Sequence, residues 1–183
     1  MRIVGGQWAG TPLMSPGPRI RPTMESVRAL AMEMLGTSLA GARFLDAFAG
    51  TGAVGLEALS RGAARCDFVE DGTAAAHGLK ANVAKFKARD RIRVFLRDAI
   101  PFIERLGVGA YDIAFIDPPY GSRKVDRVLA HWFAVPFSPL LLVEHGIDHV
   151  LPIPEGFRVA TRRIEDCALT LLTAPLQAPT AAT

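Results

Sequence analysis

The stretch Phe44-Leu45-Asp46-Ala47-Phe48-Ala49-Gly50-Thr51-Gly52-Ala53-Val54-Gly55 limits the possible folds more than any other part of the chain. An apolar run, three glycines in G-x-G-x-x-G spacing and an immediate return to helix-forming residues describe a strand, a tight turn and a helix start. Glycine in such a turn lets a ligand approach the backbone, and the helix start offers N–H groups that lack intrahelical partners. The spacing alone admits a dinucleotide, whose pyrophosphate commonly sits at this turn. Asp46 opposes that reading. A carboxylate at the strand end repels a pyrophosphate but accepts a hydrogen bond from a cationic amine, which S-adenosylmethionine carries without any phosphate.

Short apolar runs then alternate with helical stretches. Candidate strands are 44–47, 66–70, 92–95, 111–116 and 140–145, and candidate helices are 52–60, 73–86, 99–106 and 125–133. Runs this apolar, joined by helices, indicate a doubly wound α/β fold with a parallel sheet covered on both faces. Residues 157–164 and 168–173 stand too close together for a crossover helix and predict an antiparallel hairpin at one sheet edge. Residues 1–22, rich in Gly and Pro, read as an extended arm, and 174–183 as a flexible tail. Between arm and sheet, Thr23 is placed to cap a helix whose apolar face is Val27, Leu30, Ala31, Met34 and Leu35, stopped by Gly36.

A length of 183 residues, half of them apolar, suits one packed domain spanning 23–173 behind its arm. No apolar run approaches the ~18 residues of a membrane span, so a cytoplasmic protein is expected, and it is taken to be a monomer. Cys66 and Cys167 show no metal or disulfide spacing, and His145 and His149 lack a third ligand, so no metal is expected. The net charge of +3 resides entirely in the first 43 residues, where Arg2, Arg19, Arg21, Arg28 and Arg43 face only Glu25 and Glu33. That asymmetry suits a polyanionic partner, or simply a solvated basic segment.

Acids recur at successive strand ends. Glu70, followed by Asp71, occupies the position from which a carboxylate grips a ribose diol, and Asp98 is placed either to reach an adenine amine or to cap the next helix. The fourth strand ends in Asp117-Pro118-Pro119-Tyr120. Here Asp117 can accept one hydrogen of a planar exocyclic amine, the Pro118 carbonyl can accept the other, and Tyr120 can stack on the base. Together they favour a pyramidal nitrogen whose lone pair points at a methyl sulfonium.

With these motifs in view, the sequence resembles the bacterial RsmD family. The likeness rests on Arg2-Ile3-Val4-Gly5-Gly6, on Arg21-Pro22-Thr23 with Val27-Arg28, on residues 45–63 around the glycine turn, on Phe68-Val69-Glu70 and on Asp117-Pro118-Pro119-Tyr120. It implies a Rossmann-like class I methyltransferase with a mostly parallel seven-stranded sheet, S-adenosylmethionine as donor, and the N2 amine of a guanine in 16S rRNA as acceptor. A partly assembled small ribosomal subunit is the implied substrate particle. The donor-binding set is then Asp46, Phe48, Ala49, Gly50, Thr51, Gly52, Glu70, Asp71, Asp98 and Ala99. The catalytic set is Asp117, Pro118, Pro119 and Tyr120, and the candidate RNA contacts are Arg21, Thr23 and Arg28. Two places depart from the family pattern. The arm carries Gln7-Trp8-Ala9-Gly10-Thr11-Pro12 where extra basic residues are usual, and Ile164-Glu165-Asp166-Cys167 replaces a Tyr-Gly-Asp-Thr stretch. An adenine-amine methyltransferase, an NAD-dependent oxidoreductase and a non-catalytic rRNA-binding factor are the rival readings.

Overall fold

The apolar runs pair as their composition requires. In the computed structural model, which describes residues 1–15, 23–119 and 121–175, seven strands form one sheet. They are β1 (Arg43–Ala47), β2 (Arg65–Glu70), β3 (Ile92–Leu96), β4 (Ile113–Ile116), β5 (Leu140–Gly146), β6 (Arg158–Ile164) and β7 (Cys167–Thr173). Their order is β3-β2-β1-β4-β5-β7-β6, with β1 to β5 mutually parallel and β7 antiparallel to both β5 and β6. The chain therefore reverses direction across the sheet between β1 and β4, the place where open α/β sheets leave a crevice beyond their strand ends.

Alternation along the strands splits the core in two. Phe44, Phe115 and Leu142 face α1 (Glu25–Leu35), α2 (Ala53–Ser60) and α3 (Thr73–Ala84), whereas Leu45, Ala114, Ile116 and Val143 face α4 (Ala99–Ile103) and α5 (Lys124–Ala134). No described helix is long and apolar enough to cross a membrane.

Several elements differ in detail from the sequence reading. The fourth strand starts at Ile113, after Tyr111, whose hydroxyl donates to Asp67 Oδ2 at 2.7 Å. Residue 24 precedes α1 without any side-chain cap, so Thr23 does not cap that helix. The buried face of α1 is Val27, Arg28, Ala31, Met32 and Leu35, which brings in a charged residue and leaves Leu30 and Met34 half-buried.

The first fifteen residues fold back instead of extending. Arg2 bridges Pro12, and Ile3 exchanges backbone bonds with Gly10 and Thr11. Buried polar side chains then fasten this turn to the domain. Glu57 accepts the N–H groups of Val4 at 2.8 Å and Gly5 at 2.7 Å, Ser60 accepts that of Trp8, and Asn82 bonds both backbone groups of Met14. The Trp8 ring packs on Phe86 at 4.3 Å, with the Arg91 guanidinium above it.

Candidate active site

The glycine turn connects β1 to α2 and owes its shape to two carboxylates. Gly52, with φ of 78°, is the N-cap of α2, a left-handed position that glycine occupies without steric cost. Gly55 lies against β2, where an added Cβ would stand 2.4 Å from Phe68 Cε1 and 2.5 Å from Cys66 Sγ. Behind the turn, Asp46 Oδ2 accepts the Gly55 N–H at 2.8 Å, satisfying one of the donors that a helix start leaves open. In front of it, Glu70 spans two loops, its Oε2 accepting from Gly50 N and its Oε1 from Gly72 N, both at 2.7 Å. Asn82 ties the carbonyl of Thr51 to the arm through the same side chain that holds Met14.

Asp46, whose strand-end position suggested a ligand amine as its partner, is instead turned to the Gly55 N–H. It is 1 % exposed and absent from the cleft lining, because α2 claims its oxygen. Burial pushes its carboxyl up to about 8, with the Gly55 N–H acting against the rise and the charge of Glu70 adding to it. Next to it, Phe48 adopts a φ of 63°, strain for a bulky residue held at a site. Lys124 Nζ lies 5.5 Å from its ring centroid.

Beyond β4, Asp117, Pro118 and Pro119 enter the same cleft as the glycine turn, and Ser122 stabilises their loop by donating its hydroxyl to the Pro119 carbonyl at 2.6 Å. The cleft encloses about 450 Å³, within the range of small-molecule sites. Phe48, Ala49, Gly50 and Thr51 form one wall, Glu70, Asp71 and Ala99 a second, and Asp117 to Pro119 a third. Thr23, Met24 and Val27 from the start of α1 close it.

Other expected residues fall elsewhere. Gly52 shapes the turn without lining the cleft, and Asp98 caps α4 through Ile100 N at 2.9 Å. Arg28 is fully buried and bonds the carbonyls of Thr23 and Arg2, each at 2.6 Å, so its guanidinium is closed to RNA phosphate. Arg21 and Tyr120 lie outside the described residues.

Lining residues that the sequence reading did not assign to the site include Met24, Val27, Lys124 and Glu144. Glu144 carried a usable signal, being an acid at the C-terminal end of an apolar strand, just as Asp117 is. Its presence sharpens the electrostatics. Among the described residues, the ionisable side chains on the cleft are the acids Glu70, Asp71, Asp117 and Glu144 and the base Lys124. A pyrophosphate would face that excess of negative charge, whereas a sulfonium and an ammonium are attracted by it. The arrangement therefore fits S-adenosylmethionine and disfavours NAD.

Sheet order, glycine turn and acidic cleft together define a Rossmann-like, S-adenosylmethionine-dependent methyltransferase. A family model described as conserved hypothetical protein 95 matches residues 1–164. The chain belongs to that family, the RsmD family. It is 36% identical over 171 residues to the ribosomal RNA small subunit methyltransferase D of Escherichia coli, covering 90% of this chain and 84% of that one. Among solved structures it is similar to Escherichia coli yhhF, described by class as a methyltransferase, with a TM-score of 0.85, 31% identity and coverage of 97% and 99%. A protein of Thermus thermophilus, TTHA0928, gives a TM-score of 0.76 at 29% identity, covering 95% of this chain and 99% of its own.

Proposed function

We propose that this chain methylates the exocyclic N2 amine of one guanine in 16S rRNA, within a partly assembled small ribosomal subunit in the cytoplasm. The observation that carries this reading is the opening of Asp117 and Pro118 into one cleft with Glu70 and the glycine turn. The likeness to the Escherichia coli rRNA enzyme supplies the substrate class. When bound, S-adenosylmethionine supplies an electrophilic methyl carbon.

The chain's own residues hold and orient. Glu70 presents carboxylate oxygens to a ribose diol, and Ala99 with Val69 offers an apolar wall to a purine. Asp117 accepts one hydrogen of the acceptor amine and the Pro118 carbonyl accepts the other. The nitrogen lone pair, otherwise delocalised into the ring, is thereby directed toward the donor. The nitrogen becomes acidic as its new bond forms, so acceptor groups suffice and no strong base is required. Tyr120, next in sequence, is our proposed stacking platform, worth about 1–3 kcal/mol. The base leaves its stack to enter, at a cost of a few kcal/mol that is least for a looped nucleotide.

Deleting the gene and mapping 16S rRNA methylation tests this directly. One guanine N2 methyl group should disappear, return with the native gene and stay absent with Asp117→Ala. Restoration by that variant would remove Asp117 from the mechanism, and a lost methyl group on adenine would redirect the substrate assignment.

A further inference from the structure

Glu144 has no part in donor binding or in holding the acceptor amine as described above, yet it is 5 % exposed and lines the cleft. Its position follows from register. Ile116 pairs with Val143 on neighbouring parallel strands, so Asp117 and Glu144 follow side by side, with backbones about 4.8 Å apart. Phe115 and Leu142, two residues earlier on each strand, share one face of the sheet, and alternation carries Asp117 and Glu144 to that same face. A base held through its amine by Asp117 thus presents the next group along its edge to Glu144.

We propose that Glu144 reads the ring N1–H of the acceptor and so selects guanine over other purines, an inference that rests on guanine N2 being the methylated atom. Guanine offers three hydrogens along this edge, two on the N2 amine and one on N1. Asp117 and the Pro118 carbonyl accept the first two, and Glu144 accepts the third. A purine with a bare N1 turns a lone pair toward the carboxylate, exchanging a hydrogen bond for repulsion in a site removed from water. Such exchange is how a site built around a substrate hydrogen rejects the analogue that lacks it.

The probe is 2-aminopurine, which keeps the 2-amino group but has no hydrogen on N1. Small-subunit particles from the deletion strain are reassembled on 16S rRNA carrying either guanine or 2-aminopurine at the mapped position, and kcat/KM is measured for both. Native protein should prefer guanine by roughly 10- to 100-fold. Glu144→Gln, whose amide can donate to a bare N1 and still accept from N1–H, should speed transfer to 2-aminopurine and bring the preference close to one. Because 2-aminopurine also lacks the guanine O6, the change in ratio between the two proteins isolates the N1 contact. Equal rates of native protein on both acceptors would overturn the proposal while leaving N2 methylation intact. A preference that survives Glu144→Gln, with both rates lowered together, would also overturn it and make the residue structural. Absence of native transfer to the guanine particle would instead refute the reading on which the inference rests.

Discussion

The glycine turn and the N-terminal arm are both tight, glycine-containing segments held by acidic side chains, and they put those side chains to opposite uses. At the turn, Asp46 and Glu70 take the N–H groups of Gly55, Gly50 and Gly72 from behind and beside, leaving the front of the loop facing a cleft. At the arm, Glu57 takes the N–H groups of Val4 and Gly5 and the Arg61 guanidinium, and Arg28 takes two carbonyls, so the polar capacity is spent on closing the structure. The difference shows that an acidic side chain bonded to a glycine-rich loop marks a ligand site only where the far side of that loop stays open.

Breaking the arm should produce the largest loss of stability. Glu57→Ala strands two part-buried N–H groups and the Arg61 guanidinium, and is expected to cost about 3–5 kcal/mol in urea denaturation while leaving the affinity of the folded protein for S-adenosylmethionine nearly unchanged. The turn should respond in the other sense. Gly55→Ala forces a methyl group onto Phe68 and Cys66, costing about 1–3 kcal/mol. Calorimetry should nevertheless show donor affinity falling at least as steeply, because the Asp46 contact moves with the loop. Proportional losses of stability and affinity in both variants would erase the distinction.

Asp46 gives a pH signature to the same comparison. Its carboxyl is raised by burial to about 8, so between the ordinary carboxylate range and pH 8 the folded state holds a proton that the unfolded state has released. Stability from this residue is therefore present at low pH and lost as pH rises toward 8. Asp46→Asn, which keeps an oxygen for Gly55, should flatten the decline between pH 5 and 8; an unaltered slope in denaturation at several pH values would exclude Asp46 as its source. The smallest effect is expected at the tip of the β6–β7 hairpin. Glu165 has a φ of 55°, the conformation that glycine, found there in the family pattern, adopts freely. Glu165→Gly should raise the melting temperature by about 2 °C, net of its exposed bond to Ser26. A decrease would show that the Ser26 bond outweighs the strain.

What could be read in advance depended on how local the cause was. The strands and the hairpin followed from runs of a few residues, and Gly50, Glu70 and Asp117 from strand-end positions that a parallel sheet gathers at one rim. Asp46 was placed on the correct strand but given the wrong partner, since a sequence shows that an acid ends a strand and not which donor reaches it first. Arg28 looked available to phosphate until the arm supplied its carbonyls. Glu144 was passed over within its apolar run, although the strand-end argument applied to Asp117 applies to it equally.

By itself the sequence determined the alternation of strands and helices, the glycine turn and the place of the Asp-Pro-Pro segment at a strand end, all of them consequences of periodicity and backbone freedom over short spans. Only the tertiary structure decided which buried charges face the cleft and which fasten the chain. Glu57 is 53 residues from Val4, and Asn82 is 68 residues from Met14. At such separations the partner of a polar group is whatever the packed sheet brings within hydrogen-bonding distance, and no local pattern encodes it.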